Sequence, residues 1–187
     1  MMKKYLTLVF AVLFVACQHK KEISIESIEV LFYNGIFERV MAVGCDEIVY
    51  SPFEVDTIHE ILDDDSYLPK QAVILQTTIT DKSILHEVEL ELNKRIIIEE
   101  NSVDARMKCY ITYSNGQIDS LCIDNNPNYG IYNDKSVKLT NKFVYLIREN
   151  CGFYKWIGIE RGLEYFEELN DTTFVREPVI SRSGEKY

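Results

Sequence analysis

The sequence has little glycine, proline and histidine, and it lacks the common catalytic and metal-binding motifs. It contains 8 Gly, 4 Pro and 3 His among 187 residues. It has no glycine-rich phosphate loop, no Gly-x-Ser-x-Gly nucleophile elbow and no His-Glu-x-x-His zinc motif. The histidines are His19, His59 and His86, and the sequence offers no partners with which they would form a zinc site. No catalytic residue, metal ligand or cofactor is therefore predicted.

An acidic triplet is a weak indication of a metal site. The carboxylate oxygens of Asp63, Asp64 and Asp65 could bind calcium. The triplet lacks the alternate-residue spacing and the glycine of a calcium loop. It also follows a predicted helix, whose C-terminal dipole disfavours carboxylates. A solvated loop is therefore the favoured interpretation.

Long apolar runs are absent after the N-terminus. Residues 5–16 form an apolar stretch that is broken only by Thr7 and preceded by Lys3 and Lys4. A transmembrane helix needs roughly 20 apolar residues, so this stretch is too short to span a membrane. A basic start, a short apolar run and a small residue, here Ala16, before the cleavage point are typical of a secretory signal.

The end of this stretch, Leu13-Phe14-Val15-Ala16-Cys17, resembles the lipobox of bacterial lipoproteins, with Phe14 where Leu is usual. In that family the Cys thiol receives a diacylglyceryl group, the peptide is cut before the Cys, and the new N-terminus is acylated. The resemblance implies that residues 1–16 are removed and that Cys17 is the lipidation site, followed by a polar tether to residue 24. Several acyl chains, each methylene worth ~0.8 kcal/mol, make a stable membrane anchor. The alternative is an ordinary signal peptide with a chance cysteine.

Basic residues are outnumbered by acidic ones. The chain has 20 Lys and Arg against 30 Asp and Glu, a net charge of −10, which becomes −12 when Lys3 and Lys4 are removed with the signal. This balance argues against nucleic acid and against adsorption to anionic lipid headgroups. It is compatible with a basic protein partner or with cations, and also with a role in solubility alone.

Two Asn-Gly dipeptides between apolar runs predict two β-hairpins, because a type I′ turn needs a positive φ at both positions. They are Asn34-Gly35, between residues 25–33 and 36–45, and Asn115-Gly116, between residues 105–113 and 117–123. Further strands are predicted over residues 71–80, 95–98 and 129–132. Helices are predicted after Ser51, Asp81 and Thr140, each a good N-cap before an amphipathic stretch, and around residues 163–169.

The two halves of the chain repeat one order of features. Each has an Asn-Gly hairpin, a further strand, an Asp-Lys-Ser tripeptide (at Asp81 and at Asp134) and an amphipathic helix. This order predicts two tandem βββα units, residues 25–98 with a helical insertion near 46–70, and residues 104–170, before a tail over 171–187. The alternative is a chance coincidence of common motifs. Either way, the expected fold is α+β, an antiparallel sheet with helices on one face.

The cysteines after Cys17 are Cys45, Cys109, Cys122 and Cys151. Disulfides form outside the inner membrane. A two-residue turn at Asn115-Gly116 would place Cys109 opposite Cys122 in a non-hydrogen-bonded pair, close enough to bridge. We therefore predict a Cys109–Cys122 disulfide, with two buried free thiols as the alternative. A Cys45–Cys151 bond would follow by elimination.

Aromatic residues are frequent in the second half, and two interpretations are open. Such rings dominate interface energetics, so they could line a ligand or partner surface. The favoured interpretation is that they are core and sheet-face residues. The set comprises Tyr110, Tyr113, Tyr129, Tyr132, Tyr154 and Trp156.

Three classes of function remain open. The lipobox, the α+β body, the acidic balance and the lack of catalytic motifs favour a lipid-anchored binding or inhibitory module of the cell envelope, such as an immunity protein against a basic toxin or enzyme. The signal and the layout also resemble the small envelope lipoproteins of gut Gram-negative bacteria, which implies an outer-membrane or cell-surface location. The alternatives are a structural envelope lipoprotein and a hydrolase of an envelope polymer. The hydrolase would need two convergent carboxylates, or a Cys with a His, in a cleft.

Overall fold

The computed structural model describes residues 23–33, 43–48, 74–99, 102–124, 126, 128–156, 166–181 and 183–187. Several predicted features lie outside these residues: the signal, Cys17, the hairpin at Asn34-Gly35, the helix after Ser51, His59 and the Asp63–Asp65 triplet. Cys45, predicted at the end of a strand, lies instead in a one-turn 3₁₀ helix, Cys45–Glu47.

Strands in the described residues form one sheet. In chain order they are β1 (Ile25–Tyr33), β2 (Ile74–Ile79), β3 (Ile96–Ile97), β4 (Ala105–Tyr113), β5 (Ile118–Asp124), β6 (Tyr129–Tyr132) and β7 (Lys135–Lys138). Their spatial order is β2-β1-β4-β5-β6-β7-β3, and every neighbouring pair is antiparallel. The predicted α+β class with an antiparallel sheet is confirmed.

The helices of the described part pack on one face of this sheet. They are α1 (Lys82–Leu92), α2 (Asn141–Asn150), α3 (Phe153–Trp156) and α4 (Glu167–Asn170). The predicted caps of α1 and α2 are confirmed. Asp81 accepts hydrogen bonds from the amides of Ser83 (2.8 Å) and Ile84 (3.1 Å), and the Thr140 hydroxyl accepts one from the Phe143 amide (3.1 Å). No helix in the described residues is long and apolar enough to cross a bilayer.

Both faces of the sheet are covered, which explains why β1 is apolar along most of its length. Ile28, Val30 and Phe32 join the main core under the helices, whereas Leu31 and Tyr33 point to the opposite face. There they pack in a smaller cluster with residues that precede β2 or belong to β4 and β5, namely Val43, Ile48, Ala105 and Cys122.

The strands of the two predicted units form one sheet, in which the four strands of the second unit lie between those of the first. β1 lies between β2 and β4, and β3 pairs with β7 at the far edge of the sheet. The two Asp-Lys-Ser tripeptides also differ in structure. The first begins α1, whereas the second follows Asn133 (φ 43°) in a tight turn, in which Asp134 has φ 63°, and then enters β7. The second tripeptide therefore begins a strand that the sequence did not predict.

The predicted Cys109–Cys122 disulfide is wrong because the hairpin turn is one residue longer than assumed. The amide of Tyr113 donates to the carbonyl of Gln117 (2.9 Å), and the amide of Gly116 donates back to the carbonyl of Tyr113 (2.8 Å). Only Gly116 of the loop has a positive φ, 84°. The longer loop shifts the register by one residue, which moves side chains to the opposite face.

In the observed register, Cys109 lies opposite Leu121, and Cys122 lies opposite Lys108. Cys122 points to the smaller cluster and forms a disulfide with Cys45, with the two Cα atoms 5.9 Å apart. Cys109 and Cys151 are free and buried in the main core. The Cys45–Cys151 pairing is therefore also wrong.

Candidate functional site

A cleft opens where α1 passes the start of β1 and the β4–β5 turn. Its volume is about 350 Å³, and a second hollow of about 310 Å³ shares Ser24, His86 and Glu89 with it. Most of the lining residues are polar, and they carry charges of both signs. The lining comprises Ser24, Ile25, Glu26, Thr80, Lys82, Leu85, His86, Glu89 and Ser114.

Backbone pairing builds one wall of the cleft. The amide of Ser114 donates to the carbonyl of Ser24 (2.9 Å), and the amide of Ser24 donates to the Ser114 hydroxyl (3.3 Å). These bonds fix the chain entering β1 against the turn of the β4–β5 hairpin.

Helix α1 supplies the other wall. His86 and Glu89 are three residues apart, so they lie on the same side of the helix. Leu85 and Val88 are buried in the main core and hold α1 in place. The cleft therefore presents an imidazole, carboxylates, an ammonium group and hydroxyls to one small volume, which suits a polar ligand.

The cleft contains neither free thiol. Burial raises the pKa of Cys109 well above its ordinary value and that of Cys151 to about 12, so both remain protonated. A thiol is a poor nucleophile compared with a thiolate. A Cys-His nucleophile is therefore not assembled from the free cysteines. In the described part of the chain, no group of three or more His, Cys, Asp or Glu is placed to hold a metal ion.

A second polar cluster lies at the same end of the sheet, on the helix side. The Tyr132 hydroxyl donates to Asp119, the Gln117 amide donates to the other oxygen of Asp119 (2.9 Å), and the hydroxyls of Tyr113 and Tyr132 are 3.2 Å apart. The Arg95 guanidinium lies 4.1 Å from the centre of the Tyr132 ring.

This cluster shifts the pKa values of its members in opposite directions. Burial alone would raise the pKa of Asp119, but hydrogen bonds, first from Tyr132 and then from Gln117, outweigh it and lower the pKa. Burial and the bond to Asp119 raise the pKa of Tyr132. The carboxylate and the phenol are therefore both held in the forms that sustain their hydrogen bond.

Replacing Tyr132 with Phe should destabilise the protein by about 2 kcal/mol at pH 7, the usual worth of a hydrogen bond to a charged group. A lowered folded-state pKa contributes stability above the unfolded value, about 3.9, and that stability is lost as pH falls through the folded pKa. The difference in free energy of unfolding between the wild type and Tyr132→Phe should therefore become smaller as the pH is lowered. Urea unfolding at several pH values measures this difference.

Tyr129→Phe is the matched control, because Tyr129 is on the same strand and, three positions from Tyr132, points to the opposite face of the sheet. An equal loss in the two variants at pH 7, or a gap that does not depend on pH, would contradict the assignment to Asp119.

Most of the aromatic residues named from the second half of the sequence lie in or against the hydrophobic core. Tyr132, Tyr154 and Trp156 are buried, whereas Tyr110, Tyr113 and Tyr129 are half-buried. Tyr110 packs against the smaller cluster, and the ammonium of Lys108 lies 5.4 Å from the centre of its ring. These positions agree with the core and sheet-face interpretation.

The sequence did not predict the cleft. Of the residues that line it, only His86 was named from the sequence, as a histidine without partners for a zinc site, and its side chain is exposed. Glu26, Ser24 and Ser114 reach the same cleft because β1 pairs with β4, a contact between residues 90 positions apart. The predicted lipidation site, Cys17, lies outside the described residues. No protein-family model, no curated protein and no solved structure matches this chain.

Proposed function

We propose that the protein is a lipid-anchored binding module of the cell envelope, tethered through Cys17 and acting without catalysis. The observation that carries the proposal is the Leu13–Cys17 motif directly after a short basic and apolar segment. This combination is typical of an exported protein that is acylated on cysteine, and acyl chains give the stable anchor of a lipoprotein.

The Cys45–Cys122 disulfide supports an envelope location. Disulfides persist in oxidising compartments such as the periplasm and the cell surface, and are rare in the cytosol. Cys45 and Cys122 are 77 positions apart, and their bond joins the 3₁₀ helix to the sheet. A bond of this kind suits a body that folds after export.

Charge and the cleft support a binding role. The chain carries a net charge of −10, which favours association with a basic protein through electrostatic steering. The cleft adds donors and acceptors of both signs in a volume of about 350 Å³. We therefore propose a basic protein as the partner, in the manner of an inhibitor or immunity protein.

Purification of the full-length protein from detergent-solubilised envelope tests both parts of the proposal. We expect a mature chain that begins at Cys17 and carries the mass of a diacylglyceryl group and an N-acyl chain. Cys17→Ser should keep residues 1–16 and carry no lipid, whereas the neighbouring Gln18→Ala should be processed normally. A wild-type protein without lipid would overturn the anchor.

The same preparation reports on the partner. We expect one basic protein at a stoichiometric ratio, released by raised salt because the attraction is electrostatic. Repeated purifications that yield no partner would overturn the binding role and leave the anchor standing. A mixed set of envelope proteins in place of a single partner would favour a structural role instead.

A further inference from the structure

Three of the large exposed apolar side chains lie at the end of the sheet where the tether joins the fold. Ile23, which precedes β1, is 52% exposed; Leu90 on α1 is 52% exposed; and Ile118 at the start of β5 is 63% exposed. We call these three side chains the tether-end patch. Large apolar residues exposed together mark surfaces that contact a partner or a membrane.

The patch is continuous with the β4–β5 turn. Ser24, the neighbour of Ile23, is bonded to Ser114 at the start of the turn, and Ile118 follows the turn directly. Ser24 and Leu90 line the same hollow beside α1. Leu90 lies on the helix side of the sheet. Ile118 alternates with Ser120 and Cys122, so it points to the opposite face. The patch therefore flanks the end of the sheet on both sides.

The turn within this patch carries no charge. Residues 114–118, Ser-Asn-Gly-Gln-Ile, are all uncharged in a chain with a net charge of −10. Charged side chains are costly to bring against a bilayer, whereas uncharged polar groups and isoleucine are tolerated at its interface. The composition of the turn suits a neutral, zwitterionic lipid surface better than an anionic one.

The length of the tether keeps this end close to its anchor. Ile23 is six positions after Cys17. An extended chain spans at most about 3.6 Å per residue, so Ile23 lies within about 22 Å of the anchored cysteine. The opposite end of the sheet, where β4 begins and β5 ends, is about 30 Å farther along the strands.

We propose that the tether-end patch contacts the headgroup region of the bilayer that holds Cys17, so that the strands stand away from the membrane. This inference rests on the proposed lipid anchor. It commits to a zwitterionic lipid surface as the partner of the patch. The cleft, which shares Ser24 with the hollow that Leu90 lines, then opens beside the headgroups.

The test places a fluorophore at each end of the sheet in the full-length lipidated protein. Ile118→Cys carries the label at the patch, and Ser102→Cys carries it on the exposed residue before β4. Cys109 and Cys151 are buried, so labelling is confined to the new thiol. The protein is reconstituted into phosphatidylcholine vesicles whose headgroup region contains nitroxide lipid. We expect a blue shift and several-fold stronger quenching at position 118 than at position 102.

A second set of variants tests whether the apolar side chains are responsible. Ile23→Ser with Leu90→Ser, made in the Ile118→Cys protein, should lose most of the quenching. Ile97→Ser is the matched control, because Ile97 is as exposed but lies on β3 at the far edge of the sheet. It should leave the quenching unchanged.

The experiment distinguishes a failure of the proposed lipid anchor from a failure of the proposed contact between the tether-end patch and the headgroups. Equal quenching at positions 118 and 102, in protein that stays on the vesicles, overturns the contact and leaves the anchor standing. The same holds if the Ile23→Ser and Leu90→Ser changes have no more effect than Ile97→Ser. Wild-type protein that does not remain with the vesicles overturns the anchor and the inference together.

Discussion

Removing the Cys45–Cys122 disulfide should lower the free energy of unfolding by about 4 kcal/mol, because a bond that closes a loop of this size removes much of the entropy of the unfolded chain. The two cysteines are 77 positions apart. The bond also fixes the 3₁₀ helix over the face that Leu31 and Tyr33 share. A loss of this size is a large part of the 5–15 kcal/mol typical of a folded protein.

The variant is Cys45→Ala with Cys122→Ala, compared with wild type by urea unfolding at neutral pH. Cys109→Ala is the matched control, since Cys109 is a buried cysteine on the neighbouring strand without a disulfide. It should show only the smaller loss expected for a removed buried side chain. Reduction of the wild type should reproduce the double variant. Equal stability of the double variant and Cys109→Ala would contradict the assigned bond.

Breaking the buried ion pair between Arg148 and Glu168 should cost about 3–5 kcal/mol, because it leaves a charge in the core without its partner. The Arg148 Nη1 to Glu168 Oε1 distance is 2.6 Å, and both side chains are almost fully buried. The Tyr154 hydroxyl donates to the same oxygen (2.8 Å), and the guanidinium lies 4.5 Å from the centre of the Phe153 ring. The pair thus joins α2, α3 and α4.

Glu168→Gln and Arg148→Met each remove one charge, and the double variant Arg148→Met with Glu168→Leu removes both. The loss in free energy of unfolding should be far smaller in the double variant than the sum of the losses in the two single variants, since no unpaired charge remains. Glu87→Gln is the matched control. It breaks the partly exposed pair with Lys142 (2.9 Å), which should be worth less than about 1 kcal/mol. Losses that add, or a Glu168→Gln loss no larger than that of Glu87→Gln, would contradict this account.

The features that the sequence predicted correctly are those set by neighbouring residues. Asp81 and Thr140 cap α1 and α2 because a cap needs only its own side chain and the next three amides. The apolar runs on either side of the Asn-Gly turns marked β1 and β4 as strands for the same local reason. The helices were predicted to lie on one face because each has an apolar stripe that must pack against the sheet.

The errors arose where the outcome depends on distant residues or on one turn. The dipeptide Asn115-Gly116 fits a two-residue turn and also a three-residue turn with one positive φ, and the choice reverses the face of every β5 side chain. The partner of Cys122 then depends on where Cys45 is packed. No local pattern marks Arg148 and Glu168 as partners, because an Arg and a Glu in two amphipathic helices ordinarily face solvent.

The order of the strands means that the sheet can be completed only late in synthesis, because β1 and β3 pair with strands that come later in the chain. β1 and β2 can pair early, but the second edge of β1 stays open until β4 has been made, and β3 has no neighbour until β7 appears. Three of the six strand pairs, β1–β2, β1–β4 and β3–β7, join distant parts of the chain, and such pairs raise the contact order and slow folding. A nascent chain that stops before residue 105 exposes an apolar strand edge, which invites aggregation or capture by a chaperone.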